Sequence, residues 1–160
     1  LSTVTTALRQ AGCRVESEKD AVCLTAPARL RAIPPVRTSP YPGFPTDAQA
    51  VLMAALLRSR GTTVFVENMF DSRYRHVPEW VRLGADIRTD GRVAVVCGAE
   101  RLHGARVRAA DLRGGAALVL AGLQAEGTTE VEQIHHIERG YADLVGDLRA
   151  LGAEIRLREA

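Results

Sequence analysis

Apolar residues fall into two kinds of pattern along the chain. Residues 48–60 and 114–125 are apolar on most helical faces, as Val51, Leu52, Met53, Leu56 and Leu57 illustrate, and a helix without a polar face has to be buried. Shorter apolar runs follow turn signals. Gly61-Thr62-Thr63 leads into a strand at 63–67, and Gly127-Thr128-Thr129 into one at 129–133. A second helix is predicted to end at Gly84 and again at Gly152, since glycine takes a positive φ freely at a helix C-terminus. Strands at 85–88 and 92–97 are joined by the hairpin signal Asp90-Gly91. Strands alternating with buried helices predict an α/β fold.

These elements repeat. The GTT turn occurs twice, and Leu83-Gly84-Ala85-Asp86-Ile87-Arg88 returns as Leu151-Gly152-Ala153-Glu154-Ile155-Arg156, with Arg73 and Arg139 at equal distances from their GTT turns. Leu8-Arg9-Gln10-Ala11-Gly12-Cys13-Arg14-Val15 resembles the second half of such a unit. With a period of about 70 residues, the chain is read as the tail of one unit (1–35), a second unit (36–107) and a third (108–160). The stretch 27–45 holds six of the seven prolines and reads as an extended connection between units. The first residue is Leu1, a helical pattern starts at once, and the chain is expected to be a fragment.

Charge narrows the partners. A net charge of +2, scattered basic residues and 4% aromatics argue against nucleic acid. No apolar run approaches the ~18 residues of a membrane span, and the N-terminus lacks a signal-peptide pattern. Cys13, Cys23 and Cys97 form neither a CxxC pair nor an even-numbered framework, which fits a reducing cytosol; Cys97 is expected as a buried strand thiol. His135-His136 has no ligand spacing to other histidines or cysteines, so no metal is expected. Gly114-Gly115 lacks the context of a nucleotide loop, and no cofactor is expected.

The placement of arginine carries more. Of the 21 basic residues all but Lys19 are arginine. Asp111 reads as an N-cap that leaves Arg113 in the first turn of a buried helix. Ser72 reads as a cap that leaves Arg73 at the start of the next, and Arg139 holds the matching place in its unit. A cation there opposes the helix dipole, whereas helix amides together with guanidiniums bind anions. Pairing with Asp71, Glu138 or Asp143, or simple solvation, is the alternative. Thr46-Asp47-Ala48-Gln49 reads as a capping box, which makes Asp47 either a first-turn acid or a proton acceptor for a substrate hydroxyl.

Three segments carry a resemblance: Pro42-Gly43-Phe44-Pro45-Thr46-Asp47-Ala48-Gln49-Ala50, the run from Glu67-Asn68-Met69-Phe70-Asp71-Ser72-Arg73 through His76-Val77-Pro78-Glu79, and Ala110-Asp111-Leu112-Arg113. With the closing runs Leu118–Leu123 and His136-Ile137-Glu138-Arg139-Gly140-Tyr141, they resemble the enolpyruvyl transferases that act on UDP-N-acetylglucosamine, over nearly the whole chain. The resemblance implies domains built of three βαβαββ-like units, helices inside and sheets outside. It implies transfer of enolpyruvate from phosphoenolpyruvate to the 3-hydroxyl of UDP-N-acetylglucosamine, the first committed step of peptidoglycan synthesis, in the cytoplasm. Asp47 would take the hydroxyl proton and the Met69 backbone would contact the nucleotide sugar. Arg73 and Arg113 would hold the phosphoenolpyruvate carboxylate and Arg139 its phosphate, with Asp111 supporting the site.

Two departures accompany it. Gly114-Gly115 stand where the family carries small residues such as alanine and serine, and glycine there loosens a helix start by ~1 kcal/mol each. The family's reactive-cysteine loop, with a lysine and an asparagine near the N-terminus, has no counterpart in this segment, so the partner catalytic domain is expected to be missing from it and the segment alone to be inactive. The rival readings are the shikimate-pathway enolpyruvyl transferase, in which a lysine is expected where Arg139 stands, and a non-catalytic binding paralogue.

Overall fold

A computed structural model describes residues 2–158. The chain opens with α1 (Ser2–Gln10) and the antiparallel pair β1 (Arg14–Ser17) and β2 (Val22–Thr25). A βαβαββ unit follows: β3 (Val36–Arg37), α2 (Thr46–Leu56), β4 (Thr62–Val66), α3 (Val77–Arg82), β5 (Asp86–Asp90) and β6 (Val93–Cys97). Its four strands form one sheet in the order β3-β4-β6-β5, parallel between β3 and β4 and antiparallel elsewhere. The last part repeats the opening of that unit with β7 (Arg106–Arg108), α4 (Leu112–Gly122) and β8 (Glu130–Glu132), β7 and β8 pairing in parallel. The short helices α5 (His135–Glu138) and α6 (Leu144–Ala150) complete it.

The two helices expected to be buried are packed against each other at the centre. Leu52, Met53, Leu56, Ala117, Leu118 and Ala121 are all at most 4% exposed, and the Gln124 side chain ties the pair by donating to the Ala54 carbonyl at 2.9 Å. The sheet of the second unit covers them from outside. Thr63 and Phe65 of β4 and Ala94 and Val96 of β6 face inward while their neighbours are partly or fully exposed, as the two-residue side-chain period of a strand requires. The arrangement is an α/β fold with helices inside and sheets outside.

The repeat is visible in backbone hydrogen bonds. At the end of α1, α3 and α6 the glycine takes a positive φ: Gly12 at 102°, Gly84 at 87° and Gly152 at 92°. Each time the glycine N–H donates three residues back and the next N–H five residues back: Gly12 to Arg9 and Cys13 to Leu8, Gly84 to Val81 and Ala85 to Trp80, Gly152 to Arg149 and Ala153 to Leu148. These are three copies of the Schellman cap. The Arg9 guanidinium donates to the Val15 carbonyl and the Arg149 guanidinium to the Ile155 carbonyl, six residues on in both copies.

Several expectations need correction. The buried helices start two residues earlier and end three or four earlier than 114–125 and 48–60, because Asp111 and Pro45 provide extended N-cap residues and the chain turns at Leu57 and Leu123. Residues 153–158 form no strand although they repeat 85–88; β5 is held by β6, and no such partner lies beside 153–158 among the described residues. Cys97 is only half-buried, since alternation along β6 gives the inner face to Ala94 and Val96. Its sulfur lies 3.6 Å from the Thr62 hydroxyl. No helix among the described residues is long and apolar enough to cross a membrane.

Glycine is required for different reasons at two turns. A Cβ on Gly98 would run into the Ser59 backbone carbonyl, whereas one on Gly91 (φ 51°) would meet nothing. Urea unfolding should therefore separate the two alanine variants. Gly91→Ala should lose ~1–2 kcal/mol from the left-handed backbone alone. Gly98→Ala should lose at least ~1–3 kcal/mol from overlap with a backbone that cannot swing aside. A Gly98→Ala protein as stable as the parent would show that this strand end shifts freely.

Candidate functional site

The first turns of α2 and α4 meet at one place. Asp47 is the second residue of α2 and Arg113 the second of α4, and the turns at 71–76 bring Arg73 alongside. Arg73 Nη2 donates to Asp47 Oδ1 and Arg113 Nη2 to Asp47 Oδ2, both at 2.9 Å. The carboxylate thus holds one guanidinium on each oxygen. Its side chain is 57% exposed, while those of Arg73 and Arg113 are 18% and 30% exposed. The cations are sunk beneath an acid that solvent reaches. Ion pairs this open add little to stability; their effect is to fix geometry, and they leave one positive charge in excess.

Aromatic rings set both arginines. The Arg73 guanidinium lies over the Phe70 ring, 5.2 Å from its centre. Arg113 lies 5.7 Å from the centre of the Tyr141 ring and donates from Nη1 to its hydroxyl at 3.3 Å. That hydrogen bond is the leading cause of a raised Arg113 pKa, followed by burial in opposition and then by Asp47. Asp111 is the N-cap of α4, as expected, with Oδ1 accepting from the Gly114 N–H at 2.7 Å.

The expected helix-start arginines divide. Arg113 is one. Arg73 is not: Ser72 has φ 56° and caps nothing, and α3 begins only after His76, its N-cap residue. Arg139 is the C-cap residue of α5, at the opposite helix pole from the one expected. Among the described residues its exposed guanidinium makes no ion pair or hydrogen bond. It comes to the site through its neighbours. A Cβ on Gly140 would lie 2.7 Å from Leu112 Cδ2, so this loop rests on the first turn of α4, and Tyr141 touches Arg113.

The capping box is also corrected. Pro45 is the N-cap residue of α2, Thr46 is already helical, and neither side chain caps. Thr46 Oγ1 instead donates to Glu67 Oε2 at 2.9 Å, and the buried Gln49 amide lies 3.5 Å from the Tyr74 hydroxyl. Burial first, then the charge of Glu67, pushes the Tyr74 phenol up to about 12.

Glu67 was not singled out from sequence. It is fully buried and accepts from Thr38 Oγ1 (2.9 Å), Thr46 Oγ1, the Met69 N–H (2.7 Å) and the Phe70 N–H (3.1 Å). Strand alternation was the available signal, because Thr63, Phe65 and Glu67 share the inward parity of β4. Met69 itself is 41% exposed, and its N–H is given to Glu67. Beside Asp47 opens a cleft of about 450 Å3, walled by Thr3, Ser39, Tyr41, Gly43 and Ala48, to which neither arginine contributes.

The glycines at 114 and 115 prove to be fitted to their surroundings. A Cβ on Gly114 would stand 2.9 Å from both Asp111 Oδ2 and His76 Nδ1, and one on Gly115 would stand 2.7 Å from Ile137 Cγ1. His76, also missed from sequence, is 1% exposed, stacks edge-on against Trp80 with ring centres 4.3 Å apart, and has both ring nitrogens unpartnered.

Comparison with known proteins places the chain in a family. The family model described as EPSP synthase (3-phosphoshikimate 1-carboxyvinyltransferase) matches residues 1–159. The chain belongs to this family. Within it, the chain is 51% identical over 153 residues to the UDP-N-acetylglucosamine 1-carboxyvinyltransferase of Myxococcus xanthus (strain DK1622), covering 96% of this chain and 36% of that protein. It is 52% identical over 148 residues to the protein of that name from Desulfofundulus thermocisternus, covering 92% of this chain and 60% of that one. The crystal structure of the enolpyruvyl transferase NikO from Streptomyces tendae superposes over the whole chain and 37% of its own, with a TM-score of 0.90 at 34% identity. The chain therefore spans little more than a third of the M. xanthus relative and of NikO.

Burial of His76 gives the fold a pH dependence. Desolvation pushes the His76 imidazole down to about 4 from its ordinary 6.5, with Arg73 adding to the effect and Asp111 opposing it. The unfolded chain then binds a proton that the folded chain refuses between those values. Stability contributed by the neutral imidazole is whole above about 6.5, is lost as pH falls, and is gone near 4, a total of roughly 3 kcal/mol. Denaturant melts of the parent and of His76→Gln should show the parent losing stability faster between pH 6.5 and 4. Parallel pH profiles would contradict this account of His76.

Proposed function

We propose that the chain is the segment of a UDP-N-acetylglucosamine 1-carboxyvinyltransferase that presents the proton acceptor for the sugar hydroxyl and the arginines for phosphoenolpyruvate. The observation that carries this reading is the Asp47 carboxylate held between Arg73 and Arg113 at 2.9 Å on each oxygen. About half-identical relatives bearing that enzyme's name support the substrate pair. An anionic substrate carboxylate competes with Asp47 for the two guanidiniums, and binding it releases Asp47 toward the alcohol. The cleft walled by Asp47 but by neither arginine suits an alcohol that approaches separately from the anion.

In the transfer, a C–O bond forms between the sugar 3-hydroxyl oxygen and the enolpyruvyl carbon. The hydroxyl proton passes to Asp47 while the C=C electron pair takes a proton at the methylene carbon. Loss of a proton from that same carbon then restores the double bond as the bond from the enolpyruvyl carbon to the phosphate oxygen breaks and phosphate leaves. General-base help of this kind is worth ~10²–10⁴-fold. Arg139, with no ion pair among the described residues, takes the phosphate, and Arg73 and Arg113 hold the carboxylate while charge moves, a use of preorganised cations that needs no reorganisation. Asp111 keeps Arg113 in place by capping α4, and the Met69 carbonyl meets the nucleotide sugar. The remaining cations and the reactive cysteine belong to the partner half of the enzyme, and the product enters peptidoglycan synthesis in the cytoplasm.

Phosphate release by the full-length polypeptide that carries this segment, given phosphoenolpyruvate and UDP-N-acetylglucosamine, tests the reading. Asp47→Asn should lower kcat by ~10²-fold or more with a melting temperature close to the parent's. Arg113→Ala and Arg139→Ala should raise the KM for phosphoenolpyruvate, each having lost a charged partner of a bound anion. Shikimate 3-phosphate should not replace the nucleotide sugar. Turnover with shikimate 3-phosphate instead, or a fully active Asp47→Asn enzyme, would refute the assignment.

A further inference from the structure

Glu67 is a carboxylate with no exposure and, among the described residues, no cation paired with it. Its four hydrogen bonds come from three separate segments. Thr38 Oγ1 follows β3, Thr46 Oγ1 stands at the first residue of α2, and the Met69 and Phe70 N–H groups belong to the loop after β4. Thr38 binds the same loop a second way: its hydroxyl accepts from the Asn68 N–H at 2.8 Å and its carbonyl from the Asn68 amide at 3.1 Å. Each segment leads directly to a part of the site. Thr46 precedes Asp47, Met69 is the proposed sugar contact, and the Phe70 ring lies against the Arg73 guanidinium that grips Asp47.

We propose that Glu67 is a positioning residue for the transfer reaction, setting the α2 start that carries Asp47 in fixed register with the Met69–Phe70 loop. It does not touch substrate. The inference rests on the proposed role of Asp47 as proton acceptor. A carboxylate suits the task because it is an acceptor only, and up to four lone-pair positions can meet four donors. Three of the donors converge on Oε1, and the Thr46 hydroxyl alone meets Oε2. Glutamine in its place either reverses the Thr46 bond, with the hydroxyl turned to accept, or sets an NH2 against the Met69 and Phe70 N–H groups and leaves them unsatisfied. Misplacement of a reacting group by ~1 Å costs on the order of 10²-fold in rate, so small shifts at Thr46 register strongly in kcat.

The test uses the full-length enzyme with Glu67→Gln, Thr46→Val and Thr46→Ser. Thr46→Val removes the hydroxyl and keeps the shape; Thr46→Ser restores the hydroxyl. Glu67→Gln should lower kcat at least ~10-fold and raise the KM for the nucleotide sugar, with a smaller rise in the KM for phosphoenolpyruvate, since Arg113 keeps its own support on Tyr141 while Arg73 leans on the Phe70 that Glu67 holds. Thr46→Val should lower kcat alone, and Thr46→Ser should recover it. In a double-variant cycle, Glu67→Gln should slow an Asp47→Asn enzyme no further, because the group it positions is gone. If Glu67→Gln is too unstable to purify, the Thr46 pair and Thr46→Val combined with Asp47→Asn carry the same comparison. Additive losses in the cycle, equal rates for Thr46→Val and the parent, or lowered stability with unchanged kcat and KM would overturn the proposal. An Asp47→Asn enzyme with full turnover would instead overturn the role of Asp47, which separates the two failures.

Discussion

Two helices that are apolar on nearly every face have to be buried on nearly every face, and the architecture follows from that constraint. α2 and α4 bury one flank of each helix against the other, and the remaining flanks need cover from elsewhere. The strands supply it, each presenting one apolar face inward and one wetter face outward. Sheets therefore lie outside and helices inside, the reverse of an arrangement in which amphipathic helices coat a central sheet. The packing also brings the first turns of both helices to the same place. Asp47 and Arg113 meet because each is the second residue of a helix whose position the core has fixed.

The polar groups at that place fall into two layers with different physics. The outer layer of Asp47, Arg73 and Arg113 is open to solvent, where ion pairs are weak and exchange easily for a ligand's charges. The inner layer of Glu67, Thr38, Gln49, Tyr74 and His76 is buried, with the half-buried Thr46 hydroxyl joined to it, and there an unpaired group is costly and a paired one is rigid. The proposed exchange of Asp47 for a substrate carboxylate would draw on that division, with the exchangeable charges seated over a buried, hydrogen-bonded frame. Within the frame Gln49 Oε1 and both His76 ring nitrogens are buried without a partner, and His76 makes the fold sensitive to acid.

Much of the fold was legible along the chain. The all-apolar runs required buried helices, the GTT turns and glycine caps marked where units recur, and the period-two runs located β4, β5 and β6. Gly12, Gly84 and Gly152 needed only local physics, since a Schellman cap closes within six residues. The Asp111 cap was equally local. The reading failed where a local pattern competed with a distant partner. Thr46 and Gln49 have the spacing of a capping box, yet Glu67 and Tyr74 take their side chains. Ser72 has the composition of a cap, yet the turns at 71–76 carry Arg73 toward Asp47 before α3 begins. Residues 153–158 repeat a strand sequence, yet a strand is made by its neighbour.

The site divides along the same line. Sequence by itself determined that Asp47 lies in a first turn, that Arg113 follows a cap, and that arginine rather than lysine supplies the cations, all of them properties of residues a few positions apart. Only the tertiary structure decided that Asp47 binds two arginines 26 and 66 residues away, that Arg139 sits at a helix C-terminus, and that Glu67 joins three segments. Hydrogen bonds between side chains depend on distances of a few tenths of an ångström, and contacts between distant segments are set by how the core packs. Spacing along the chain carries no record of them.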